Sequence, residues 1–112
     1  MKMVTAIIRP ERLEVVRHAL EEIGIVSMTI TEVRGRGAQK GVTQEYRGQP
    51  VQIDYLPKVK IELVVNTTPV DDVIDVILDN AGTGNIGDGK IFVFPVDDAV
   101  RVRTRERGPA AV

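Results

Sequence analysis

Lys58-Val59-Lys60-Ile61-Glu62-Leu63-Val64-Val65 decides the fold. Val59, Ile61, Leu63 and Val65 fall on one face of an extended chain, with Lys58, Lys60 and Glu62 on the other, because successive strand side chains point to opposite sides. A helix is predicted next. Thr67 or Thr68 can cap it, Pro69 stands near its start, and Asp71 and Asp72 occupy its first turn, where acidic groups suit the positive end of the helix dipole. Val70, Val73, Ile74, Ile77 and Ala81 form its apolar stripe. The glycine-bearing stretch 82–89 ends the helix, and a strand over 90–96 completes a β-α-β unit.

The N-terminal third repeats this plan. Val4, Ala6 and Ile8 alternate with Thr5 and Ile7, giving a strand that is partly apolar on both faces. Pro10 suits a first helical turn, Leu13, Val16, Leu20 and Ile23 follow at helical spacing, and Gly24 marks the end. Val26, Met28 and Ile30 then alternate with Ser27, Thr29 and Thr31 in a half-buried strand running to about Val33. From 35 to 57 the periodicity lapses in a stretch punctuated by Gly35, Gly37, Gly41, Gly48, Pro50 and Pro57. So long a loop in a compact domain is either functional or disordered.

Beyond the turn Pro95-Val96-Asp97-Asp98, Val100 and Val102 alternate with Arg101 and Arg103 in a short last strand, and the tail from Gly108 reads as frayed. Two β-α-β halves joined by a long loop predict one domain over residues 1–112, a ferredoxin-like α+β sandwich with both helices on one face of an antiparallel sheet. The face left bare carries Met3, Thr5 and Ile7. Being partly apolar, it points to oligomerisation.

Composition narrows the chemistry. The chain has no Cys, which removes disulfides, thiol catalysis and Cys-based zinc sites and fits a reducing cytoplasm. Its first apolar run, Val4 to Ile8, ends at Arg9-Pro10 and is too short for a signal peptide or a membrane span. A net charge of −1 argues against a diffuse nucleic-acid surface. The basic residues are nonetheless segregated: Arg34, Arg36, Lys40, Arg47, Lys58 and Lys60 in one segment, Lys90 alone, and Arg101, Arg103, Arg105 and Arg107 in another. Such segregation favours a local anionic ligand.

Thr83-Gly84-Asn85-Ile86-Gly87-Asp88-Gly89-Lys90 nearly spells a phosphate-binding P-loop. A Walker motif would continue with Ser or Thr and open a helix. Here Ile91 follows and begins a strand. The glycines still let backbone N–H groups approach phosphate oxygens, and Lys90 adds a cation. Helix capping alone would not need so many glycines. A solvated face is the plain reading of Lys58 and Lys60 on one strand and of Arg101 and Arg103 on another, but like charges beside Lys90 repel unless an anion sits among them. His18 lies off the apolar stripe and reads as a surface residue. Asp71-Asp72 and Asp97-Asp98 make no persuasive acid–base pair.

Several long motifs then carry a resemblance in the right order: Ala6-Ile7-Ile8-Arg9-Pro10, the glycine-rich 35–41, Tyr46-Arg47-Gly48, Leu56-Pro57-Lys58-Val59-Lys60-Ile61-Glu62, Thr83 through Val93, and Arg101-Val102-Arg103-Thr104. Over essentially its full length the chain resembles the PII nitrogen-regulatory signalling family. The resemblance implies a homotrimer with nucleotide sites in clefts between subunits. ATP or ADP would be held by Gly87, Asp88, Gly89, Lys90, Arg101 and Arg103, with Ile7, Gly35, Gly37, Glu62 and Val64 around the cleft. It further implies a Mg²⁺ ion held partly by Gln39 when ATP is bound, and 2-oxoglutarate beside it, aided by Lys58 and by the backbone near Gly37, Lys40 and Gly41.

On the same resemblance, the loop over about 36–55 docks on targets through Tyr46, Arg47 and Gly48. The targets implied are an ammonium transporter or a nitrogen-assimilation enzyme such as glutamine synthetase; any membrane contact would come only through the transporter. Val51 stands where uridylylated relatives carry tyrosine, Gln49 where others carry a phosphorylated serine, and Ala38 where a loop arginine is common. No covalent modification is therefore expected. Two other readings use the same residues: an adenylate-sensing regulator of carbon or bicarbonate uptake that does not bind 2-oxoglutarate, and a slow ATP-hydrolysing enzyme, for which Asp88 is the only carboxylate in the loop.

Overall fold

A computed structural model describes residues 1–36, 43–46, 49–52 and 55–112, with the backbone alone for 43–46 and 49–52. Strand β1 (Lys2–Ile8) leads through a 3₁₀ turn (Pro10–Arg12) into helix α1 (Leu13–Glu22) and strand β2 (Thr29–Gly35). Strands β3 (Thr43–Tyr46) and β4 (Gln49–Gln52) precede β5 (Leu56–Val65), helix α2 (Val70–Ala81) and β6 (Gly89–Pro95). A second 3₁₀ turn spans Gly108–Ala111. The main sheet has the order β2-β5-β1-β6, with every pair antiparallel. This is the expected ferredoxin-like α+β arrangement.

Alternation in the strands builds the core. Val4, Ala6 and Ile8 of β1 and Val59, Ile61, Leu63 and Val65 of β5 are buried with Val16 and Leu20 of α1 and Val73, Ile77 and Ala81 of α2. Each fully buried aliphatic side chain contributes about 1.5–3 kcal/mol, so the two helices are held on one face by their stripes. Helix α1 ends as Gly24 predicts. That residue takes φ +89°, Gly24 N donates to Glu21 O and Ile25 N to Leu20 O, the paired bonds of a Schellman ending. Arg12 donates from Nε to Asn80 O at 2.8 Å, placing a cation at the C-terminal end of α2.

Five boundaries differ from the sequence reading. Helix α2 is capped by Pro69, not by a threonine side chain: Pro69 O accepts from Asp72 N and Val73 N, and proline lacks the N–H that a cap would otherwise have to satisfy. Strand β2 begins at Thr29, opposite Glu62. Residues 26–28 instead carry the chain from the helix end to the sheet edge, and Val26 is exposed. Part of the predicted loop is a hairpin, β3 with β4, registered from Thr43–Gln52 to Tyr46–Gln49.

The last strand is absent. Val100 and Arg107 form a single bridge, because the chain turns back on itself between them: Arg101 N donates to Glu106 O at 2.9 Å and Arg105 N to Arg101 O at 2.8 Å. Val102 is 95% exposed, so the alternation there reports no buried face. The tail is also anchored, by Gly108 N donating to Ala99 O.

The helix-free face is read from the register. Thr31, Lys60, Ile7 and Lys90 form one row across the sheet, Thr29, Glu62, Thr5 and Phe92 the next, and Val64, Met3 and Phe94 the last. Phe92 and Phe94 are exposed, while the Thr5 hydroxyl is buried with no hydrogen-bond partner among the described residues.

Candidate functional site

The glycine loop between α2 and β6 is organised around one carboxylate. Asp88 Oδ2 accepts from Thr83 N at 2.8 Å and Gly84 N at 2.9 Å. Oδ1 accepts from the Thr83 hydroxyl and from Arg9 Nε, the latter at 3.0 Å. The Thr83 hydroxyl bond, then the Thr83 N–H and Arg9, hold this carboxyl below the ordinary carboxylate range. Two cations then reach in from the sheet. Arg9 Nη2 donates to Ile86 O at 2.7 Å, and Lys58 Nζ donates to Gly87 O. A hydrogen-bonded turn spans 86–87, and the backbone N–H groups of Ile86 and Gly87 have no partner among the described residues.

Glycine is required at two positions here. Gly89 takes φ +108°, and a Cβ on it would lie 1.8 Å from Ile7 O, so β6 can start against β1 only with glycine. Gly87 takes φ +98°, and a Cβ there would lie 3.3 Å from Arg9 Nη2 and 3.6 Å from Lys58 Nζ. The missing side chain lets the Arg9 and Lys58 cations close on the loop backbone, beside two N–H groups without a partner among the described residues. Phosphate recognition requires that chemistry. Gly35 has a supporting role: a Cβ on it would meet Lys58 Cγ at 3.3 Å, so the lysine stem lies against bare backbone.

Of the residues expected to hold nucleotide, Ile7, Gly35, Gly87, Asp88, Gly89 and Lys90 thus gather at the glycine-loop end of the sheet, with Lys58. Glu62 and Val64 lie further along β5 and line a cavity of about 510 Å³ with Met3, Thr29, Arg101 and Val112. The register separates Ile7 from Met3 by four residues, about 13 Å along a strand. The cavity that Arg101 lines with Glu62 and Val64 includes neither Lys90 nor any glycine-loop residue. Arg103 is exposed and lines neither region. Gly37, Gln39, Lys40, Gly41, Arg47 and Gly48, like Ala38, lie outside the described residues; Tyr46, Gln49 and Val51 are described in backbone only.

Charge pairing adds detail. Lys60 Nζ lies 3.7 Å from Glu62 Oε1, and Arg101 Nη1 lies 3.2 Å from Glu106 Oε1. Lys90 has no ion-pair partner among the described residues. Sequence reasoning misses Arg9 as a site residue, because Arg9-Pro10 reads as the start of a helix. Its only signal is an arginine at the end of a core strand. Among the described residues no cluster of three His, Cys, Asp or Glu side chains could hold a metal, and no helix is long and apolar enough to cross a membrane.

Comparison with known proteins identifies the family. The family profile described as "Nitrogen regulatory protein P-II" matches residues 1–106. The chain belongs to the P-II family. It is 58% identical over 112 residues to "Nitrogen regulatory protein P-II 2" of Methanothermobacter thermautotrophicus, covering 100% of this chain and 97% of that protein. It is 54% identical to "Nitrogen regulatory protein P-II" of Klebsiella oxytoca and to "Nitrogen regulatory protein P-II 1" of Escherichia coli K12, covering all of both chains in each case. The P-II relatives are named as regulatory proteins, not as enzymes, and their length matches this chain almost residue for residue.

Proposed function

We infer that this P-II protein is a nitrogen-regulatory signalling protein whose input is adenylate nucleotide together with 2-oxoglutarate. The observation that carries the reading is the Gly87 turn: a left-handed glycine flanked by Arg9, Lys58 and unpartnered N–H groups, with Lys90 in the adjoining strand. The phosphates of ATP or ADP would bind there. Glu62 and Val64 would line the nucleoside end, and Arg101 and Arg103 would complete the phosphate shell. Because the cavity that Arg101 lines with Glu62 and Val64 holds none of the glycine-loop residues, a second copy would supply the arginines. That requirement, and a helix-free face bearing Met3, Phe92, Phe94 and an unsatisfied Thr5 hydroxyl, supports a homotrimer with sites between subunits.

Lys58 supports the second ligand. It spends its ammonium on Gly87 O within the loop, a carbonyl that a dicarboxylate can outcompete once the triphosphate is in place. Mg²⁺ held partly by Gln39 would supply the positive charge that lets the two anions sit side by side. Asp88 favours sensing over hydrolysis, because its carboxylate already accepts four hydrogen bonds from Thr83, Gly84 and Arg9 and cannot serve as a base. Output would pass through residues 36–55 to an ammonium transporter or a nitrogen-assimilation enzyme in the cytoplasm. Calorimetry tests the scheme: 2-oxoglutarate should bind only with Mg-ATP present, and equally tight binding without nucleotide would sink it.

A further inference from the structure

The chain reversal after Val100 carries Arg101, Arg103, Arg105 and Arg107, and they are not equivalent. Arg101 pairs with Glu106 at 3.2 Å, and Arg107 Nε donates to Asp98 Oδ2 at 3.0 Å. Arg103 and Arg105 are exposed and have no ion-pair or side-chain hydrogen-bond partner among the described residues. A polyanion must displace a carboxylate to take Arg101 or Arg107. It meets Arg103 and Arg105 directly.

Arg105 is also the one non-glycine residue with positive φ, at +63°, among the described residues. The reversal imposes this conformation. Arg105 N reaches back to Arg101 O, Arg101 N reaches forward to Glu106 O, and the Val100–Arg107 bridge closes the ends. The left-handed region crowds Cβ against the following carbonyl, and glycine would sit there without that penalty. The chain instead keeps a long cation with a free charge, and retained strain at such a position points to a ligand.

We propose that Arg105 is a specificity-determining cation of the nucleotide site, adding to the arginine loop a free guanidinium that favours a nucleoside triphosphate over the diphosphate. The proposal rests on the nucleotide-binding reading above. The triphosphate carries one more phosphoryl group and a larger negative charge, so an unpaired fork of N–H donors gains more from it. The site is exposed, so added salt weakens the discrimination.

Calorimetric titration of the full-length protein with ATP and with ADP tests this, using Arg105→Gly, Arg105→Asn and Arg105→Lys. Glycine and asparagine both accept the left-handed conformation without the charge, so both variants fold, and Arg105→Gly should melt no lower than the unmodified protein. Each should bind ATP about fivefold to tenfold more weakly, between the values of an exposed ion pair and a charged hydrogen bond, with a smaller change for ADP. Arg105→Lys should recover most of the difference. An ATP-to-ADP affinity ratio unchanged in both the glycine and asparagine variants overturns the role of Arg105 and leaves the nucleotide site standing. An unmodified protein that binds neither nucleotide overturns both.

Discussion

Replacing Gly89 by alanine tests how the glycine loop is joined to the sheet. The added Cβ would lie 1.8 Å from Ile7 O and 2.9 Å from Ile7 C, both backbone atoms of a core strand. No rotamer change relieves that contact, so β6 must move away from β1 at the register pair Ile8–Gly89. The φ of +108° adds a second penalty. Left-handed backbone costs an alanine about 1–2 kcal/mol, and forced overpacking adds roughly 1–3 kcal/mol. Gly84 separates the two effects: it takes φ +81°, but a Cβ on it would have nothing within 4 Å. Gly84→Ala therefore carries only the backbone penalty, partly offset by a stiffer unfolded chain. Urea unfolding at one fixed protein concentration, so that assembly does not enter the comparison, should show Gly89→Ala less stable than Gly84→Ala by about 1–3 kcal/mol. Equal stability of the two variants would refute the claim that close approach to Ile7 dictates glycine at 89.

Other outcomes follow from the same geometry. Ile61→Ala removes a side chain with no exposure at the centre of the core and should cost about 2–5 kcal/mol in the same assay. Asp88 has a folded-state pKa below its unfolded value near 3.9, so its contribution is complete above that value and is lost as pH falls through the depressed folded pKa. Asp88→Asn should therefore flatten the stability–pH curve below about pH 4 while lowering stability at neutral pH; parallel curves for both proteins would contradict the Thr83–Asp88–Arg9 network. Lys58→Ala should abolish calorimetric 2-oxoglutarate binding while leaving ATP binding measurable, and unchanged 2-oxoglutarate affinity would remove Lys58 from that site.

How much of this is legible in sequence depends on burial. Strands β1 and β5 and both helices are readable because their apolar residues meet one continuous core, which imposes periods of two and of 3.6 on the chain. The β3–β4 hairpin is not, since Thr43-Gln44-Glu45-Tyr46 and Gln49-Pro50-Val51-Gln52 show no regular apolar alternation; the two residues between the paired strands, Arg47-Gly48, are the remaining cue. Near Val100 the reverse error arises: Val-Arg alternation suggests a strand where side chains of both kinds face solvent. The glycines and cations of the candidate site can be picked out by residue type. The placement of Arg9 against Asp88 spans the chain from β1 to β6 and has no local signature, and the separation of Arg101 from the glycine loop emerges only from the cavity it lines with Glu62 and Val64.

That separation makes subunit mixing the most direct test of the account. Lys90→Ala and Arg101→Ala chains should each bind ATP weakly as homo-oligomers. Co-refolded at equal amounts, they should regain native affinity in about one site in four, the fraction in which an Arg101→Ala chain supplies the glycine loop and a Lys90→Ala chain the arginines. If loop and arginines of one site came from the same chain, no mixture would restore a native site, and ATP binding equal to the average of the two separate variants would contradict a site completed between subunits.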